Sequence, residues 1–154
     1  MGYRSMWRLM LCLVAGIMTA MMPARASDLD LSAYKGKVVY LDFWASWCTP
    51  CRLSFPWMNE IQQSNGSRGL VVIAVNVDHD KTAAEEFLRR FAPQFKVVYD
   101  GNGNLARQYG LRDMPTSFLI DRSGHVRFTH PGFVPGQTGA YSAHIEELLH
   151  EQAR

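Results

Sequence analysis

Two apolar runs constrain this chain more than anything else in it. KVVYLDFWA (37–45) and LVVIAVNV (70–77) are rich in β-branched and aromatic residues and alternate little, the pattern of strands covered on both faces. Between them, residues 49–65 carry helical spacing, with Leu53, Trp57 and Ile61 at four-residue steps and Gly66 just beyond. Strand, helix, strand in that order predicts a right-handed parallel crossover. KTAAEEFLRRF (81–91) is amphipathic, made of helix formers and closed by Pro93. KVVYD (96–100) predicts a short strand and 105–109 a brief helix. TSFLID (116–121) and HVRFTH (125–130) flank RSG as two strands of a tight hairpin, and AYSAHIEELLHEQ (140–152) predicts a last amphipathic helix with Ile145, Leu148 and Leu149 inward. The class is α/β: one domain, with helices on both sides of a mixed sheet.

Ahead of this domain, Arg4 and Arg8 precede an apolar stretch, Leu9 to Met22, and then Pro23-Ala24-Arg25-Ala26. A basic start, a hydrophobic stretch and a small-x-small site predict an export signal cleaved after Ala26, leaving a domain of residues 27–154. A retained membrane anchor is the alternative, but a spanning helix needs about 20 apolar residues. Three of the 16 basic residues belong to this leader, so 13 remain against 14 acidic ones. A nucleic-acid partner wants a basic stripe, and none remains.

The leader also removes Cys12, which leaves Cys48 and Cys51 in the segment FWASWCTPCR (43–52). A structural staple across so short a loop would remove little denatured-state entropy. Haem attachment requires His directly after the second cysteine, where this chain has Arg52. Zinc requires further ligands at matching spacing, and His79, His125, His130, His144 and His150 do not supply it; they are expected at the surface. A redox pair explains the placement. A strand ends at Ala45 and a helix opens at the cysteines, so Cys48 is expected at a helix N-terminus, where unpaired amides and the dipole stabilise a thiolate. Cys51 lies about one turn further and can resolve a mixed disulfide.

DFWASWCTPC with Pro56 beyond it, and MPTSFLID later, resemble the thioredoxin superfamily over Leu31 to Leu149. KGKVVYLDFWASWCTPCRLSFPWMNEI and VVIAVNVD are most similar to its TlpA/ResA branch of exported thiol–disulfide reductases. The resemblance implies a thioredoxin-like fold with an extra strand-helix segment between the active-site helix and the proline loop, which 70–100 is long enough to supply. It implies that Pro115 is cis and faces the cysteines, and that Met114, Pro115 and Thr116 hold the substrate chain. Trp47 would flank the disulfide on an apolar docking face. It implies substrates that are cysteine-containing exported proteins and a membrane thiol donor of electrons. No cofactor or metal is expected, and a monomer is the default.

Two positions depart from the branch. Asp42 stands where relatives of this branch often carry asparagine and thioredoxin a buried aspartate; Ser54 stands where ResA-like proteins carry glutamate. A carboxyl on the strand leading into a redox helix would be desolvated, which raises its pKa. Asp42 is therefore expected to accept the proton of Cys51 as that thiol attacks the mixed disulfide. Competing functions are a disulfide oxidase or isomerase, and a binding module whose cysteines hold Cu(I) or dock a client.

Overall fold

The computed structural model of the chain describes residues 29–151; the proposed leader, its cleavage point and the last three residues lie outside the described residues. The elements are β1 (Val38–Trp44), α1 (Cys51–Asn65), β2 (Leu70–Asn76), α2 (Lys81–Phe91), β3 (Lys96–Tyr99), α3 (Asn104–Gln108), β4 (Thr116–Ile120), β5 (Val126–Pro131) and α4 (Thr138–His150). They build one five-stranded mixed sheet in the order β3-β2-β1-β4-β5. β1, β2 and β3 are parallel; β4 runs antiparallel to β1, and β5 antiparallel to β4.

β1 is the central strand, and all seven of its residues are buried, as its unbroken apolar pattern requires. Successive side chains still point to opposite faces. Val38, Tyr40 and Trp44 pack with residues of α1, α2 and α4, including Phe55, Met58, Phe87, Ile145 and Leu148. Val39, Leu41 and Phe43 pack on the other face with Leu105 of α3, Phe118 and Ile120 of β4, and the turn at Leu31–Tyr34.

The buried face of α1 is Ser54, Phe55, Met58 and Ile61, with Trp57 beside it. Leu53, the first residue of the four-residue spacing, is 53% exposed. Four-residue steps drift off a 3.6-residue turn, so the stripe beginning at Leu53 does not hold one face. The helix also begins at Cys51 rather than Thr49, because Thr49-Pro50 forms a turn whose carbonyls accept from Arg52 and Leu53.

α2 starts where the Asp80 carboxylate accepts from the Thr82 amide at 2.9 Å. It ends with Ala92 in the left-handed region (φ 41°), just before Pro93. Its Phe87 closes an aromatic cluster with Trp44 and Phe55, ring centroids 4.7 to 4.9 Å apart. Each such pair contributes about 0.5–1.5 kcal/mol beyond its area. This cluster fastens α2 to the end of β1 from which the cysteine loop departs.

Candidate active site

Past Trp44 the chain turns through Ala45–Pro50, and a buried carboxylate holds that turn. Asp78, just beyond β2, accepts from the Ser46 amide at 2.9 Å and from the Ser46 hydroxyl at 3.2 Å. The Asn76 side-chain amide donates to the same carboxylate at 2.8 Å. The Val77 amide donates to the Trp44 carbonyl, tying the two strand ends together. These residues were not singled out from sequence. The available signal was an aspartate directly after an apolar strand that runs parallel to β1 and so ends on the cysteine side.

Cys48 and Cys51 form a disulfide with their Cα atoms 5.3 Å apart. Cys48 precedes the helix rather than opening it, yet the first helical amide is aimed at it: Cys51 N–H donates to Cys48 Sγ at 3.3 Å. That amide and the dipole behind it favour negative charge on Cys48 once the bond is reduced. Cys48 is 4% exposed and Cys51 fully buried. Only the first can meet a partner sulfur without the helix opening. Trp47, beside it, is 67% exposed.

The Met114–Pro115 peptide bond is cis. Pro115 and Thr116 are buried, the Thr116 hydroxyl donates to the Asp113 carbonyl at 2.7 Å, and the Gly132 amide donates to the Pro115 carbonyl at 2.7 Å. Met114 packs against the apolar cluster that contains both cysteines. The fold therefore gathers Cys48, Cys51 and Met114 at one end of the sheet, with Pro115 and Thr116 leading from that end into β4.

Three carboxylates are buried among the described residues: Asp42, Asp78 and Asp100. Asp78 is committed to the cysteine turn, and Asp100 accepts from the amides of Leu105 and Ala106 at the start of α3. Asp42 differs, because its Oδ2 is buried with no hydrogen-bond partner among the described residues. Burial pushes the Asp42 carboxyl well above the usual carboxylate range. Strand alternation turns it, with Tyr40 and Trp44, toward the face that α1 covers. Ser54, in the position of the branch's glutamate, is buried and spends its hydroxyl on the Cys51 carbonyl at 3.0 Å.

The surface placement expected of the histidines fails at one position. His130 is not a surface histidine: it is 8% exposed, and its Nε2 lies 2.9 Å from Nδ1 of His144. The two stand 14 residues apart on β5 and α4, with no local spacing to signal the contact. Burial, then the neighbouring His144, lowers the pKa of His130.

A parallel βαβ core, a cysteine pair at the mouth of its helix and a cis proline leading into the next strand define a thioredoxin-like redox domain. The redoxin family pattern matches residues 18–145, and the chain belongs to that family. It is 40% identical over 106 residues to the thiol-disulfide oxidoreductase ResA of Geobacillus thermodenitrificans, covering 66% of this chain and 61% of that protein. The chain thus spans about three-fifths of the length of the curated relatives it matches. Among solved structures, a Chlorobium tepidum protein provisionally named thiol:disulfide interchange protein DsbE is 49% identical, with a TM-score of 0.76 over 77% of this chain and 84% of its own. The exposed lipoprotein thioredoxin Etrx1 of Streptococcus pneumoniae is 38% identical, with a TM-score of 0.63 over 77% of this chain and 90% of its own. The chain thus carries a redoxin-family, thioredoxin-like domain that is similar to thiol–disulfide oxidoreductases named ResA.

Proposed function

We propose that this protein reduces disulfides of exported, cysteine-containing proteins in the periplasm, with Cys48 as nucleophile, Cys51 as resolving thiol and Asp42 as the proton acceptor. The observation that carries the reading is a division of roles on the face of the sheet that α1 covers. Cys48 receives a helix amide, Cys51 is sealed beneath it, and Asp42 is the buried carboxylate with an oxygen to spare.

In the reducing direction the Cys48 thiolate attacks a substrate disulfide, forming a mixed disulfide and releasing one substrate thiolate. Cys51 then loses its proton to Asp42 and attacks Cys48 Sγ. The Cys48–Cys51 bond forms, and the second substrate thiolate leaves and is protonated. Substrate gains two electrons and the cysteine pair loses two. A dithiol donor in the membrane restores the pair by the reverse exchange. Trp47, Met114, Pro115 and Thr116 form the substrate-holding rim.

A Cys51→Ser variant tests the assignment. Mixed with a disulfide peptide, it should accumulate a covalent adduct through Cys48 that reducing agent releases, whereas Cys48→Ser should form none. Adduct formation by Cys48→Ser instead would reverse the two roles. Direction is tested by acid quench and thiol alkylation in cells: a mostly reduced pair supports the reductase, and a mostly oxidised pair supports disulfide donation. Cell fractionation with mass analysis of the mature N-terminus tests export, and a chain starting at Ser27 in the periplasmic fraction is expected.

A further inference from the structure

A proton taken from a sealed thiol by a sealed carboxyl must still reach water. On the β2 side Asp42 is paired with Ala74, which carries no polar group. On the other side the ladder pairs Asp42 with Ser117 of β4, and Ser117 with His130 of β5. Residues directly opposite on neighbouring strands share a face, with Cβ atoms about 4.5–5.5 Å apart. Asp42, Ser117 and His130 therefore form one polar row, all three buried, crossing the sheet beneath the helices. Three buried side-chain atoms have no protein partner among the described residues: Asp42 Oδ2, Trp44 Nε1 and His130 Nδ1. Two of the three belong to the residues at the ends of this row. Unpaired polar atoms in a core cost stability, so two in one row need a reason.

Beyond the row the path continues outward. His130 Nε2 meets His144 Nδ1 at 2.9 Å. The His144 ring lies flat on Phe128, centroids 4.0 Å apart and planes 6° from parallel, which holds that nitrogen inward. His144 itself is partly exposed on α4. We propose that Ser117, His130 and His144 are a proton wire joining Asp42 to solvent, so that His130 and His144 act as positioning residues for resolution by Cys51.

The proposal rests on Asp42 accepting the Cys51 proton. With His130 neutral and Nε2 protonated, the buried Nδ1 is a free acceptor. Ser117 is bonded to neither Asp42 Oδ2 nor His130 Nδ1 at rest, and its hydroxyl neighbours Tyr40. The transfer therefore requires that hydroxyl to turn along the row, taking the Asp42 proton and giving its own to His130 Nδ1. The His130 Nε2 proton then passes to His144 Nδ1, and the far proton of His144 to water. One proton leaves as the cysteine pair is oxidised. One returns by the same route when the dithiol donor reduces it, and that return restores both tautomers. The lowered pKa of His130 keeps it neutral, as a wire requires. The titratable groups around it are Tyr141 and His144 of α4 and, across the row, Tyr40 and Asp42 of β1. Glu147 stands one turn beyond His144, near Arg127.

The test is a single turnover: reduced protein mixed with excess of a small disulfide peptide, quenched with acid and followed by mass, from about pH 6 to 9, an interval that spans the ordinary histidine pKa. Asp42→Asn should slow resolution about a hundredfold, the lower reach of general base catalysis. His144→Ala should slow it about three- to tenfold, by the smaller part of the same effect. 4-Methylimidazole should restore the His144→Ala rate and leave Asp42→Asn slow, and the double variant should be no slower than Asp42→Asn. A normal rate for His144→Ala beside a slow Asp42→Asn overturns the wire and leaves the role of Asp42 standing. A normal rate for Asp42→Asn removes that role and the wire with it. A slow His144→Ala that imidazole does not rescue, adding to Asp42→Asn, would make the histidines structural. His130→Gln, checked by its melting temperature, repeats the comparison at the buried member of the pair.

Discussion

On one face of β1, Val39, Leu41 and Phe43 are between 0 and 2% exposed among apolar neighbours; on the other, Asp42 is as deeply buried, at 2%, between Tyr40 and Trp44. Burial does not separate the two faces. Satisfaction does: every side chain of the first face finds its natural surroundings, whereas the second holds a carboxyl with an unbonded oxygen. The first face stabilises the fold. The second gives up some of that stability, and it is the face against which the cysteine helix packs.

Leu41→Ala, on the stabilising face, should have the largest effect on folding. Removal of a fully buried leucine costs about 2–5 kcal/mol, read from a urea titration, with the pH profile of disulfide exchange per folded molecule unchanged. A shifted profile would show that the two faces are not separate.

Asp42→Asn should do the reverse, slowing exchange while relieving the fold. The folded carboxyl holds its proton above the pH at which the unfolded one loses it. Native protein then binds more protons than unfolded protein, and stability falls as pH rises from the unfolded pKa through the folded one. The variant lacks this loss, so its melting temperature relative to the parent should climb from pH 4 to pH 8, an interval opening near the unperturbed value of about 3.9. A flat difference would mean that Asp42 does not titrate as a buried acid.

Asp78→Ala tests whether all buried carboxylates of this region behave alike. It leaves the Ser46 and Asn76 groups unpaired and should destabilise by about 1–3 kcal/mol. Cysteine exchange should also change, because the turn carrying Cys48 loses its tether. The smallest effect is expected for Arg68→Ala, which removes the exposed ion pair with Glu146; its urea midpoint should match the parent within error.

Most of the fold was legible because its signals are local. The runs at 37–45 and 70–77 contain β1 and β2, and 81–91 is α2 residue for residue. Periodicity and caps act within a few residues, so a short window carries them. The start of α1 and the exposure of Leu53 are not local in this way: a turn and a quarter-turn of phase are settled by what the helix packs on. Of the site, the cysteine pair and the burial of Asp42 were legible from their strand-to-helix context. Asp78 and His130 were not. Asp78 reaches Ser46 across 32 residues, and His130 is buried only because α4 lies over β5.

The sequence by itself determined the order of strands and helices, the placement of Cys48 and Cys51 between a strand and a helix, and the desolvation of Asp42, since each follows from neighbours in the chain. Only the tertiary structure decided that Asp42, Ser117 and His130 share one row and that His144 meets its end. Strand register and helix docking set those contacts. Both are choices among pairings of distant segments, made by the summed burial of the whole core rather than by any residue in the row.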